Sequence, residues 1–194
     1  PVVDESDINV AILPREYDYW KMRERRTFFI DYEIEDDYSL IDLSKTIIQM
    51  NTEELGVPEK DLKPIFIYIH SYGGDTYQAM YFADLLVASR IPIVTIATGV
   101  CMSAGCLILL GGHRRYAFKH SQILIHSGSA GFSGTSQQID EAAKNYKDCV
   151  NSMKNYILER SSIDEKLFAK NKNKDWYITN DDFEKYNICK VIKS

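Results

Sequence analysis

Charge is missing from the middle of this 194-residue chain. No Asp, Glu, Lys, Arg or His occurs among residues 91–112, although 26% of the sequence is charged. A gap of that length could cross a bilayer. Here it is interrupted by Pro92, Thr95, Thr98, Ser103 and four glycines, and it divides into a β-branched run (IPIVTIA) and a small-then-bulky run (SAGCLILLG). A strand, a glycine turn and a buried helix are therefore expected, and no membrane span. An excess of basic residues is also missing. Lys plus Arg total 23 against 28 Asp plus Glu, a net charge of −5, which disfavours wrapping nucleic acid. Only four cysteines occur (Cys101, Cys106, Cys149, Cys189), without metal-ligand spacing, so reduced thiols and no zinc or other metal site are expected. The N-terminal PVVDESDIN is acidic and lacks the apolar core of a secretory leader, which favours a cytoplasmic location. No G-x-x-x-x-G-K-[ST] loop is present, so the chain has no phosphate cradle of its own. Disorder is excluded by 13 Tyr, 8 Phe and 2 Trp.

What is present alternates between two periodicities. Residues 1–16 are polar and unpatterned and are expected to be flexible, while residues 17–194 read as one domain. Thr27–Ile30, Ile65–Ile69, Tyr116–Phe118 and Gln122–His126 are strand-like. Tyr38–Met50, Tyr77–Ser89 and the long polar run Ser136–Arg160 have helical spacing, and Thr52–Lys63 reads as a charged connector. Such alternation predicts an α/β fold with a mostly parallel sheet.

The strongest local signal is GVCMSAG at 99–105, which puts Ser103 where a strand hands over to a helix. The unpaired N–H groups of a helix start could stabilise an oxyanion there. Helix capping alone would also explain a serine at that place. A serine nucleophile needs a base. Of the four histidines, His126 ends QILIH and His70 ends IFIYIH, whereas His113 and His120 lie among charges. His126 could equally be a half-buried histidine satisfied by backbone. A third group must hold the imidazole; Asp175, between a basic loop and a β-prone run, is a candidate whose plainer reading is surface charge.

The motifs and their order resemble the Clp protease proteolytic subunit (ClpP) family over about residues 17–191. EYDYWKMRERRTFF is similar to the stretch leading into that family's first core strand, and IFIYIHSYGGD to its Y-I-N-S-P-G-G segment. GVCMSAG is similar to its nucleophile motif, QILIH to its histidine strand, and DWYIT to its aspartate segment. The resemblance implies a ClpP/crotonase-type fold with a protruding handle helix at about 127–160. It also implies a serine endopeptidase using no cofactor, with Ser103 as nucleophile, His126 as general base and then acid, and Asp175 as the orienting carboxylate. Oxyanion donors would come from the Gly73–Gly74 turn, Gly74 above all, and from Ala104. The expected assembly is a homo-oligomer of two stacked heptameric rings. Unfolded polypeptide would be supplied by a separate AAA+ ATPase docking at Phe66, Tyr68, Ile96, Tyr116 and Phe118, positions that would otherwise read as plain core. Other readings within this fold are a phage-type maturation protease, an inactive structural ring subunit, and an acyl-CoA enzyme of the crotonase kind. Several positions depart from the family pattern: Tyr72, Ala104, Ser127-Gly128 and Lys174. Asp75 replaces a typically apolar residue and suggests a taste for basic side chains.

Overall fold

The chain, in a computed structural model that describes residues 14–35 and 39–193, alternates strand and helix around one twisted sheet. In order, α1 (Pro14–Glu24) leads into β1 (Thr27–Ile30), then α2 (Ser39–Glu53), β2 (Ile65–Ser71) and α3 (Thr76–Ala88). Next come β3 (Ile93–Met102), α4 (Ala104–Gly111), β4 (Arg114–Ala117) and β5 (Gln122–Ile125). The chain closes with α5 (Ser136–Arg160), α6 (Glu165–Asn171), β6 (Trp176–Ile178), α7 (Asn180–Lys185) and β7 (Lys190–Val191). Most of the segment expected to be flexible, residues 1–13, lies outside the described residues; regular structure begins at Pro14, three residues before Tyr17.

The sheet runs β1-β2-β3-β4-β7, and these pairings are all parallel. β5 pairs in parallel with the end of β3, and only β6 runs antiparallel, against β5. The uncharged run thus becomes β3 and α4, with Ser103 alone between them. Among the described residues no helix is long and apolar enough to cross a membrane. The strand is longer than expected and does not turn at Gly99. Its first half bonds β2 and β4 and its last three residues bond β5, so ladder hydrogen bonds carry it onward. Gly99 instead sits in an irregularity, where Ile69 faces Ala97 and Ser71 faces Cys101. A Cβ at residue 99 would lie 2.3 Å from Nδ1 of His70, so the missing side chain lets that imidazole rest on the strand.

One face of the sheet carries the core. Ile65, Ile67 and Ile69 of β2 are fully buried, packed with Phe82 and Leu86 of α3 and with α4, whose eight residues are all buried. Small residues set the spacing: a Cβ on Gly111 would meet Ala83 of α3 at 3.2 Å. The helix is closed at its far end by Arg160, which donates to the carbonyls of Leu110 (3.1 Å) and Gly112 (3.2 Å). α5 begins with a capping box of Thr135 and Gln138 and runs for 25 residues, yet only Met153, Tyr156 and Ile157 near its end are buried. Its first half projects from the core as a handle.

The opposite face of the sheet is partly open. Parallel register sets Phe29, Tyr68, Ile96 and Tyr116 in one row. Phe29 and Tyr68 stack with ring centroids 5.3 Å apart. Phe66, Tyr68 and Tyr116 are half-buried, Ile96 is buried, and Phe118 is 43% exposed.

The same packing silences three thiols. Burial holds Cys101 well above the usual thiol range and pushes Cys106 and Cys189 up to about 12. Since the thiolate is the reactive form, iodoacetamide on the folded protein is expected to modify Cys149 first. Cys101, Cys106 and Cys189 should react only on unfolding, as peptide mass mapping would reveal. Early modification of Cys106 would contradict the tight seat of α4.

Candidate active site

The site is assembled by strand register. Met102 pairs with Leu124, which brings the residue after β3 beside the end of β5. The backbone N–H of Ser103 donates to the carbonyl of Leu124 at 2.9 Å. On the other side of β5, the antiparallel pair Ile125–Trp176 sets the next residues, His126 and Asp175, across from one another. Three sequence-distant side chains therefore meet at one end of the sheet.

Their geometry is a line. His126 Nε2 lies 2.7 Å from Ser103 Oγ, and His126 Nδ1 lies 3.4 Å from Asp175 Oδ1. The first is a short hydrogen bond, and the second an ion-pair distance. The imidazole is sheltered, with 32% of its side chain exposed, while the carboxylate is 62% exposed. Ser103 does not cap the helix it precedes: its side chain makes no capping bond to α4. Its backbone is held at φ 53°, ψ −121°, a region that side-chain-bearing residues rarely occupy. The capping explanation thus fails on geometry, and the hydroxyl is turned to the imidazole instead.

The glycine turn lies against this serine. A Cβ on Gly73 would sit 2.7 Å from Cβ of Ser103 and 3.1 Å from the Ala104 nitrogen. Gly73 and Gly74 have φ of 111° and 138°, values natural only to glycine. Ile34 pairs with this turn as a parallel bridge: its N–H donates to the Gly73 carbonyl (2.8 Å), and its own carbonyl accepts from the Asp75 N–H (2.6 Å). In that pattern the N–H of Gly74 points away from Ile34. Among the described residues neither that N–H nor the Ala104 N–H has a partner. Two free donors therefore flank the serine. The Gly73 N–H is occupied, because it donates to Ser71 Oγ at 3.2 Å.

Ser71 was not among the residues singled out from sequence. It is buried, and its hydroxyl also donates to the Tyr32 carbonyl at 2.7 Å, so it pins the turn from beneath. A serine two residues before a glycine is a signal for such a local turn. Ser127 and Tyr146 were likewise missed as supports. Ser127 Oγ donates to the Lys172 carbonyl, and the Tyr146 hydroxyl of α5 donates to the Ser127 carbonyl at 3.1 Å. The residue after His126 is thereby tied both to the loop before Asp175 and to the handle. The other histidines stay away: His70 lies on Gly99, and His113 Nδ1 accepts from the Ile93 N–H at 2.9 Å. Among the described residues no cluster of His, Cys, Asp or Glu side chains could hold a metal ion.

Comparison with known proteins identifies the family. The family model described as Clp protease matches residues 15–194. The ATP-dependent Clp protease proteolytic subunit 2 of Treponema denticola is 32% identical over 135 residues, 68% of each chain. The corresponding subunit of Deinococcus radiodurans is 24% identical over 181 residues, covering 92% of this chain and 85% of the relative. Proteolytic subunit 1 of Bacillus cereus is 28% identical over 177 residues, covering 90% and 88%. With its mostly parallel sheet, its helix layer and a match along nearly its whole length, the chain belongs to the Clp protease family, as a divergent member.

Proposed function

We propose that the chain is a serine endopeptidase subunit that cleaves unfolded polypeptide through an acyl-enzyme. The observation that carries this is the 2.7 Å contact from His126 Nε2 to the hydroxyl of a serine whose strained backbone serves no capping purpose. Ser103 Oγ attacks the scissile carbonyl as His126 Nε2 takes its proton. The developing oxyanion is received by the N–H groups of Gly74 and Ala104, a contribution worth roughly 10²–10³ in rate per donor. The tetrahedral intermediate collapses when His126 returns the proton to the departing amine. Water then repeats the sequence on the acyl-enzyme. Asp175 keeps Nδ1 protonated and so leaves Nε2 free to accept.

Family membership and the exposed surfaces support a role within a larger assembly. The chain functions as a homo-oligomer of stacked heptameric rings in the cytoplasm, and the exposed handle supplies the contact between rings. It carries no phosphate-binding loop, so ATP-driven unfolding comes from a separate AAA+ protein. The open sheet face around Phe66, Tyr68, Ile96, Tyr116 and Phe118 receives that partner.

Replacing the nucleophile is the direct test. Ser103→Ala should lower peptide hydrolysis by about 10⁴-fold or more and abolish labelling by a fluorophosphonate; undiminished labelling, or labelling of a different serine, would overturn the assignment. The turn can be tested separately. In Gly74→Ala the new Cβ would lie 1.9 Å from the Ile34 carbonyl oxygen at a φ of 138°. Strain of at least about 1–3 kcal/mol should lower the unfolding midpoint, and kcat should fall with displacement of the donor. Both changes are measurable on one preparation.

A further inference from the structure

A cavity of about 380 Å³ opens where the glycine turn runs into α3, between that helix, residues 129–132 and the exposed half of α5. Its walls include Gly74, Asp75, Tyr77, Phe132, Asn145 and Tyr146. Gly73 is pressed against Ser103, and the cavity begins at Gly74, the next residue of the turn. A side chain adjacent to a carbonyl held between Gly74 and Ala104 has this space beside it.

The walls have a definite chemical character. They contain one carboxylate, three aromatic rings and no basic side chain. Asp75 Oδ1 caps α3 by accepting from the Gln78 N–H at 2.8 Å, and among the described residues its Oδ2 has no partner. Asn145 Nδ2 donates to the Tyr77 hydroxyl at 3.2 Å, which leaves the amide oxygen as an acceptor. Phe132 and Tyr146 stand edge to face, centroids 6.0 Å apart, and offer a flat apolar wall. Burial, and after it the neighbouring Cys149, push up the Tyr77 phenol; burial also pushes up the Cys149 thiol against the lowering effect of its hydrogen bond with Tyr77, and the charge of Asp75 adds a smaller upward push to each.

An apolar side chain in this space would strip water from Asp75 and give nothing back. An acidic one would meet like charge. A long aliphatic stem ending in a cation would pack against the rings and place its charge on Oδ2, with further attraction from the aromatic faces. We propose that this cavity binds the side chain immediately before the scissile bond and selects Lys or Arg, with Asp75 as the specificity-determining residue. This rests on the serine peptidase reading given above.

Two measurements separate the pocket from the chemistry. The first compares kcat/KM for fluorogenic peptides that differ only in Lys or norleucine before the cleaved bond. Wild type should favour Lys by about tenfold or more, and Asp75→Asn should erase most of that ratio. Asn caps helices as well as Asp, so the variant retains the start of α3, and its unfolding midpoint checks this. The second is a fluorescence titration with p-aminobenzamidine, a rigid cation whose binding needs no turnover, in the wild-type and Ser103→Ala backgrounds. Binding that weakens about tenfold in Asp75→Asn supports the pocket, even if fluorophosphonate fails to label Ser103 and the peptidase reading falls. Equal or better cleavage after norleucine, or titrations indifferent to Asp75, would overturn the pocket while leaving labelling at Ser103 to stand for the chemistry.

Discussion

The architecture turns on a single strained residue. Ser103 follows the central strand and precedes a fully buried helix, and the chain changes direction there through a backbone conformation that costs a serine of the order of 1–3 kcal/mol. The neighbours that over-determine this conformation are specific. The Leu124 carbonyl holds the Ser103 N–H, and the Ser103 carbonyl accepts from the N–H of Cys106 at 3.0 Å. Gly105 faces the Ser71 carbonyl in space that a Cβ would make tight, at 3.3 Å. α4 cannot relax outward because Ala83 abuts it on one side and Arg160 closes its far end. The strain thus stays where the hydroxyl must be presented.

This seat explains the absence of charge along residues 91–112. β3 is central in the sheet, and α4 is enclosed between that sheet, α3 and α5, so an ionised side chain would lose its hydration with no counter-charge at hand. The polar groups that do occur are satisfied locally. Thr95 Oγ1 donates to the Leu109 carbonyl at 2.7 Å, and Cys101 Sγ contacts the Gly105 carbonyl at 3.3 Å. Among the described residues the N–H groups of Ala104 and Gly74 have no partner, and they lie at the edge facing the serine.

Assembly of the remaining groups is a matter of register rather than proximity in sequence. β3–β5 pairing sets Ser103 next to the end of β5, and β5–β6 pairing sets Asp175 opposite His126. The two contacts differ in firmness. Serine and histidine are joined at the end of continuous parallel ladders, whereas Asp175 precedes a three-residue strand at the sheet margin and remains largely exposed. Ser127, bonded to Lys172, supplies a second tie between those segments. A slip of one residue in either ladder would turn the side chains to opposite faces and scatter the group.

Much of this was legible from residue order, and the failures have definite causes. Periodicity located β1, α3 and α5 closely, because amphipathic spacing and cap residues are local properties. It misplaced the end of β3, since Gly99 looks like a turn until the ladder to β5 carries the strand past it. Ser71 went unnoticed because its work is done by contacts with Tyr32 and Gly73 that only a folded turn creates. By itself the sequence determined which segments must be buried, where a strand had to give way to a helix, and which serine, histidine and aspartate were candidates for chemistry, because hydrophobic pattern and side-chain chemistry belong to the chain. Only the tertiary structure decided that Ser103 leaves its helix uncapped and faces His126, that Gly74 keeps a free donor, and that the strand aromatics look away from the core. Each of those depends on which strands pair and in what register, a choice settled by long-range packing.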